Sequence, residues 1–262
     1  SLHRSGDEIR VTVQLWQLDS SDAQWCERYD GTIGDLFGMQ DEIAHAVVKE
    51  LAQHVSRPVS ANKEKLDDSR AVEAYLKARY EMWRFSEEGL QQAERHLKNG
   101  LDLVGPNTRL LATLGHVYAR YGEIGLDPKG ELLAKAGECA KRVFAQDANS
   151  SRGYALLGVV KFHSGALREA RGPLERALDA NPNDPETLTV LGYLYALLGR
   201  NEQALHLFSR ALAVDPLTPV NHCMPGFVAI LEGRNSDALP QYRRFFEMDP
   251  YNPFAAWCMG YV

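Results

Sequence analysis

The chain has 262 residues, with 29 Lys and Arg against 35 Asp and Glu, a formal net charge of −6. That balance argues against a general nucleic-acid surface, which would be basic, and no run approaches the roughly 18 apolar residues a membrane-spanning helix needs. Hydrophobic residues at 45% and charged residues at 24% are an ordinary globular mixture, and the length allows one extended array or two modest domains.

The first section alternates as a strand does. From Glu8 to Leu18, Ile9, Val11, Val13 and Leu15 are interleaved with Arg10, Thr12, Gln14 and Trp16, the period-two pattern of a half-buried strand. Asp19 to Asp22 form a polar turn and Gln24 to Tyr29 read as a returning strand, which predicts a β-hairpin. After Gly31 and Gly34 a helix is predicted from Asp35, with Leu36, Met39, Ile43, Val47, Leu51 and Val55 on its apolar side. A two-stranded ribbon is marginal alone, so this segment must rest on something else. The chain opens on Ser1 in mid-pattern without a secretory signal, so an upstream part is expected.

Several short stretches here carry a family likeness: Arg4-Ser5-Gly6-Asp7, Arg10-Val11-Thr12, Gln14-Leu15, Trp25, Glu27-Arg28-Tyr29-Asp30, Asp35-Leu36-Phe37 and Gln40-Asp41-Glu42-Ile43-Ala44. Together they resemble the last part of the TolB-like domain of bacterial signalling proteins. The resemblance covers residues 1–55 and implies an incomplete module, followed by repeats. Residues 56–70, polar and holding Pro58, Ser60 and Asn62, read as a linker.

Residues 71–107 read as a degenerate helix pair, with Tyr75, Leu76, Ala78, Tyr80 and Trp83 on the first helix and Leu90, Ala93, Leu97, Leu101 and Leu103 on the second. Residues 108–150 read as a stretched pair with about nine extra residues around Glu123 to Gly130, which should form a loop on one face. From residue 151 one unit recurs. Gly158, Gly192, Gly226 and Gly260 are each 34 residues apart, and the same step links Gly165, Gly199 and Gly233, then Ala170, Ala204 and Ala238, then Pro182, Pro216 and Pro250. A period of 34 with small residues at fixed offsets is the mark of a helix–turn–helix solenoid, whose units bury their apolar faces only by stacking. Leu191, Gly192, Tyr195, Ala204, Phe208, Ala211 and Pro216 resemble the signature of the tetratricopeptide repeat.

The fold class expected is therefore mainly α: a tetratricopeptide-type solenoid of about four and a half helix pairs behind an N-terminal hairpin plus helix. Its units lie near 71–107, 108–150, 151–184, 185–218 and 219–252, with a partial one at 253–262. Pro225 falls inside a first helix and should bend it, while Pro173 and Pro240 sit early in second helices. The last helix leaves Phe254, Trp257 and Tyr261 without the second helix that normally covers them. This end is expected to pack against another copy of the chain or another part of the molecule.

Chemistry is sparse. There is no phosphate loop, and Gly31, Gly34 and Gly38 make no dinucleotide fingerprint. His45 and His54 are nine residues apart, off any shared face, and His206, His222 and Cys223 read as ordinary positions rather than a metal site. Cys26, Cys139, Cys223 and Cys258 have no paired spacing and read as reduced thiols of a cytoplasmic protein. No catalytic residue, metal or cofactor is expected.

Binding is better supported. The repeat resemblance implies that first helices line a concave wall. Mapped onto this chain, the wall holds Arg109, Ala112, His116 and Arg120, then Arg152, Ala155, Val159 and His163, then Thr189 and Tyr193, Cys223 and Phe227, and Trp257 and Tyr261. It grades from basic to aromatic, suited to an apolar helix or extended segment of a protein partner. In the proteins resembled, such segments accompany an output domain such as a class III nucleotide cyclase or a winged-helix DNA-binding domain. The expected role is thus a non-catalytic signal-coupling module of a larger bacterial regulator. The alternatives are part of a cyclase whose catalytic domain lies outside this chain, an enzyme acting on a nucleotide itself, and a self-assembly scaffold.

Overall fold

In the computed structural model the described residues are 2–16, 23–32, 39, 42–43, 46, 66 and 68–262. They fall in two compact units, Ser1–Asn62 and Lys63–Val262.

The first unit is a three-stranded antiparallel sheet of β1 (Leu2–Ser5), β2 (Glu8–Trp16) and β3 (Ala23–Thr32), in that order. The hairpin predicted from sequence is β2–β3. The strand before it was not anticipated, because four residues are too few to show a period; Gly6, at φ 62°, supplies the left-handed turn between β1 and β2. Alternation decides the faces. Ile9 and Tyr29 are buried with Met39, and Val11, Val13, Ile43 and Ala46 pack around them, while Arg10 pairs across the ladder with Asp30. Met39, Glu42, Ile43 and Ala46 are helical. The rest of the helix predicted for 35–55, and most of the linker, lie outside the described residues.

The second unit is helical throughout: α1 (Ser69–Met82), α2 (Glu87–Val104), α3 (Thr108–Glu123), α4 (Glu131–Gln146), α5 (Ser151–His163), α6 (Leu167–Ala180), α7 (Pro185–Leu197), α8 (Asn201–Val214), α9 (Met224–Leu231), α10 (Asn235–Met248) and α11 (Pro253–Tyr261). Consecutive helices pack as five pairs, with α11 single.

The repeat is written in the termini. Asn107, Ser150, Asp184 and Asn252 each accept a backbone N–H at the start of a first helix. Within the pairs, Gly165, Gly199 and Gly233 take φ 80°, 73° and 74°. The next amide of each turn reaches back to close the helix: Ala166 N donates to Lys161 O at 3.0 Å, Arg200 N to Tyr195 O at 2.8 Å and Arg234 N to Ala229 O at 2.9 Å. Gly158, Gly192 and Gly226 mark the close approach of paired helices, where an added Cβ would lie 2.5 Å from Leu174, 2.6 Å from Phe208 and 2.8 Å from Tyr242.

Two sequence expectations are corrected. The buried stripe of α1 is Ala71, Ala74, Ala78 and Met82, whereas Leu76 and Tyr80 are 59% and 72% exposed. Bulk misled the reading there, because small residues are what close packing selects. Pro225 does not bend a continuous helix. A 3₁₀ turn runs from Pro219 to His222 and α9 restarts at Met224 with Pro225 in its first turn, where the missing N–H costs nothing. Pro173 and Pro240, by contrast, lie inside α6 and α10.

Candidate functional site

Neighbouring first helices pack on one another, α1 on α3, α3 on α5, α5 on α7 and α7 on α9, and α1 with the α1–α2 turn also reaches residues of α7 and α11. Arg79 of α1 comes within 3.9 Å of Glu186 on α7. Farther along, the Trp83 carbonyl accepts from Asn252 Nδ2 at 3.0 Å, and the Phe85 and Phe254 rings lie 5.2 Å apart. The first helix pair thus touches the last helix, 169 residues away.

A buried charge cluster forms the floor. Glu186 Oε1 lies 3.4 Å from His116 Nδ1 and 3.7 Å from the Arg120 guanidinium. Arg120 also donates to Glu123 Oε2 at 3.1 Å, and His163 Nε2 is 3.1 Å from Glu123 Oε1. Burial opposes the charge on both carboxylates. It is outweighed at Glu123 by Arg120 and His163, which hold its pKa down to about 2. At Glu186 the pKa is lowered by His116, Arg79 and Arg120. Burial pushes the His116 imidazole below 6.5; Glu186 counters that and Arg120 reinforces it. Two arginines, Arg79 and Arg120, and two glutamates thus compensate one another beneath this part of the face. Glu123 and Glu186 were not among the residues foreseen.

Over this floor lies the aromatic turn. The Arg120 guanidinium carbon sits 3.9 Å from the Trp83 ring centroid and 5.3 Å from that of Phe85, a desolvated cation–π contact. Past it the face is aromatic. Phe162 meets Tyr193 edge-on at 6.0 Å, and Tyr193 stacks on Phe227 at 4.2 Å and 11°. Burial pushes the Tyr193 hydroxyl up to about 12. On α11, Phe254, Trp257 and Tyr261 form a ladder with spacings of 5.8 and 5.4 Å. Trp257 and Tyr261 remain 58% and 53% exposed.

The predicted wall residues divide accordingly. Ala112, His116, Arg152 and Ala155 line one polar cavity of about 20 Å³ with Arg79 and Glu186, room for about one water. Arg109 lies 5.5 Å from the Tyr75 ring. Val159 and Cys223 are in the core, and the Cys223 thiol donates to Val220 O. Thr189 donates to Pro185 O, with Asn221 nearby. Tyr193 and Phe227 are half-buried. Among the described residues, no group of His, Cys, Asp and Glu suits a metal ion, and no helix is long and apolar enough to cross a membrane.

Residues 161–220 match the family model of the tetratricopeptide repeat. Over 105 residues the chain is 25% identical to a protein of Rhizobium meliloti (strain 1021), provisionally named adenylate cyclase 3; the match covers 39% of this chain and 18% of that protein. The chain therefore spans less than a fifth of that relative. Among solved structures, it superposes on TTC0263, a thermophilic tetratricopeptide protein of Thermus thermophilus, with a TM-score of 0.54 and 21% identity, over 72% of this chain and 97% of that one. YrrB, described as a tetratricopeptide protein with an unusual peptide-binding site, gives a TM-score of 0.43 and 19% identity over 78% and 96%. From Ser69 to Tyr261 the chain is thus a tetratricopeptide-type α-solenoid, with the family's own pattern in residues 161–220.

Proposed function

We propose that this chain is a non-catalytic protein-interaction and signal-coupling module of a larger bacterial regulator. In this reading its array holds an apolar or helical segment of a protein partner on the face lined by the first helices. The observation that carries it is the aromatic run on that face, Phe162 against Tyr193 and Tyr193 stacked on Phe227, with Phe254, Trp257 and Tyr261 in a ladder on α11. Exposed aromatics on a rigid helix are what binding anchors look like. The partial match to the cyclase-named relative and the TolB-like resemblance of residues 1–55 support the regulatory setting.

The test is capture of a partner by the whole chain and by a Trp257→Ser/Tyr261→Ser variant. The variant is expected to lose capture while keeping its helical circular dichroism; equal capture by both would overturn the reading. Incubation with ATP or GTP and Mg²⁺ or Mn²⁺ should give no cyclic nucleotide, and measurable product would make the chain an enzyme. The same aromatics favour one second reading, self-assembly through α11. Concentration-dependent association in sedimentation, abolished by the double variant, would establish it.

A further inference from the structure

We infer that the first-helix face is a receptor for a turn carrying two aromatic residues separated by one residue, and that the α1–α2 turn, Trp83-Arg84-Phe85, is its resident occupant. A partner presenting the same chemistry displaces it. This rests on the interaction-module reading and names the partner segment for that face.

The resident turn makes the contacts a bound peptide would make. Its first ring lies against the Arg120 guanidinium at 3.9 Å, its backbone carbonyl accepts from Asn252 at 3.0 Å, and its second ring packs on Phe254 at 5.2 Å. Each contact comes from an element far away in sequence, so the seat is built by the array and not by the turn itself. Cation–π contact, a backbone hydrogen bond and an aromatic neighbour together specify an aromatic–X–aromatic segment.

The residence is also imperfect. Phe85 has φ 49°, the one positive value at a non-glycine among the described residues, a conformation that L residues other than glycine adopt at a cost. The Trp83 Nε1 and Arg120 Nε donors are buried without a hydrogen-bond partner among the described residues, a further cost. A partner turn that seats the same two rings without a left-handed aromatic residue avoids the first penalty and so competes better with the tethered occupant. Met82 and Leu90, both fully buried in the core of the first units, flank the turn and hold α1 against α2 on either side of it.

The experiment titrates a fluorescent peptide spanning Tyr80 to Glu88 into the whole chain, and into a Trp83→Ala/Phe85→Ala variant whose seat is empty. The emptied variant should bind about tenfold tighter than the unaltered chain, and a further Asn252→Ser change, which keeps a capping oxygen for α11, should remove about tenfold. A peptide with both aromatics changed to Ala should not bind. If the emptied variant fails to fold, the unaltered chain still decides. Excess peptide should then raise amide exchange at Arg84 to Ser86 and nowhere in α5 or α6. No binding by the folded variant, or no change in exchange, would overturn the assignment. A one-to-one complex of the emptied variant with an intact chain would give the seat to a second copy instead, and would overturn it too. Failure of the peptide while partner capture still depends on Trp257 and Tyr261 would sink this inference alone; loss of that dependence would sink the broader reading.

Discussion

Gly192 and Gly137 separate the two things glycine can do in a helix. At Gly192 an added Cβ would meet the Phe208 ring at 2.6 Å, whereas at Gly137, inside α4, nothing lies within 4 Å. Gly192→Val should therefore overpack the α7–α8 pair and cost about 1–3 kcal/mol, whereas Gly137→Ala should gain about 0.5–1 kcal/mol from backbone entropy. Thermal unfolding of the two variants should move in opposite directions. The charge cluster gives a second residue-scale expectation. Because the folded pKa of His116 lies below 6.5, the unfolded chain takes up that proton first, and stability present above pH 6.5 is lost below it. Glu123, held at about 2 against an ordinary 4.5, has the same sign, its contribution being lost as pH falls from 4.5 towards 2. Melting temperature should thus decline with acid from both causes. His116→Gln should flatten the part of the decline that begins at pH 6.5 and also lessen the loss below 4.5, because His116 helps to hold Glu186 and Glu123 down; an unchanged profile would show that Glu186 and Arg120 leave His116 free to titrate normally.

At the scale of the helices, proline position decides the outcome. Pro225 is absorbed because the chain restarts α9 around it, but Pro240 sits at the sixth position of α10, exposed, where it deletes a bond to the Ser236 carbonyl. Pro240→Ala should accordingly stabilise the array by about 1–3 kcal/mol, read as a rise in denaturation midpoint, while Pro225→Ala should change little. The helix pairs were legible in the sequence because their punctuation repeats: the left-handed glycines, the close-approach glycines and the closing Pro182, Pro216 and Pro250 keep one 34-residue step. The degenerate first pair was legible only as helices. Its buried side is alanine, so bulk pointed to Leu76 and Tyr80, which face solvent. The charge cluster escaped for a different reason. Glu186 and Arg120 are 66 residues apart, and only the curl of the stacked units brings them to 3.7 Å. That curl is the sum of packing angles that no local pattern encodes.

Taken whole, the array departs from the behaviour of an open solenoid. Where each unit touches only its neighbours, stability is a sum of local and nearest-neighbour contributions and the ends do not communicate. Here the Asn252–Trp83 hydrogen bond and the Phe85–Phe254 contact join the first pair to the last helix. A perturbation at one end should therefore be felt at the other. Asn252→Ser keeps an oxygen to cap α11 but cannot reach the Trp83 carbonyl, so it removes a link worth about 1 kcal/mol. Amide exchange in the α1–α2 turn should then quicken about fivefold, the factor such an energy implies, while α5 and α6 between them stay unchanged. Quickening confined to α11 would mean that the ends are independent. Quickening through every helix would mean that the closing contact holds the entire array rather than its seam. The intermediate pattern, two distant ends loosening together across an unaffected middle, is the one these contacts require.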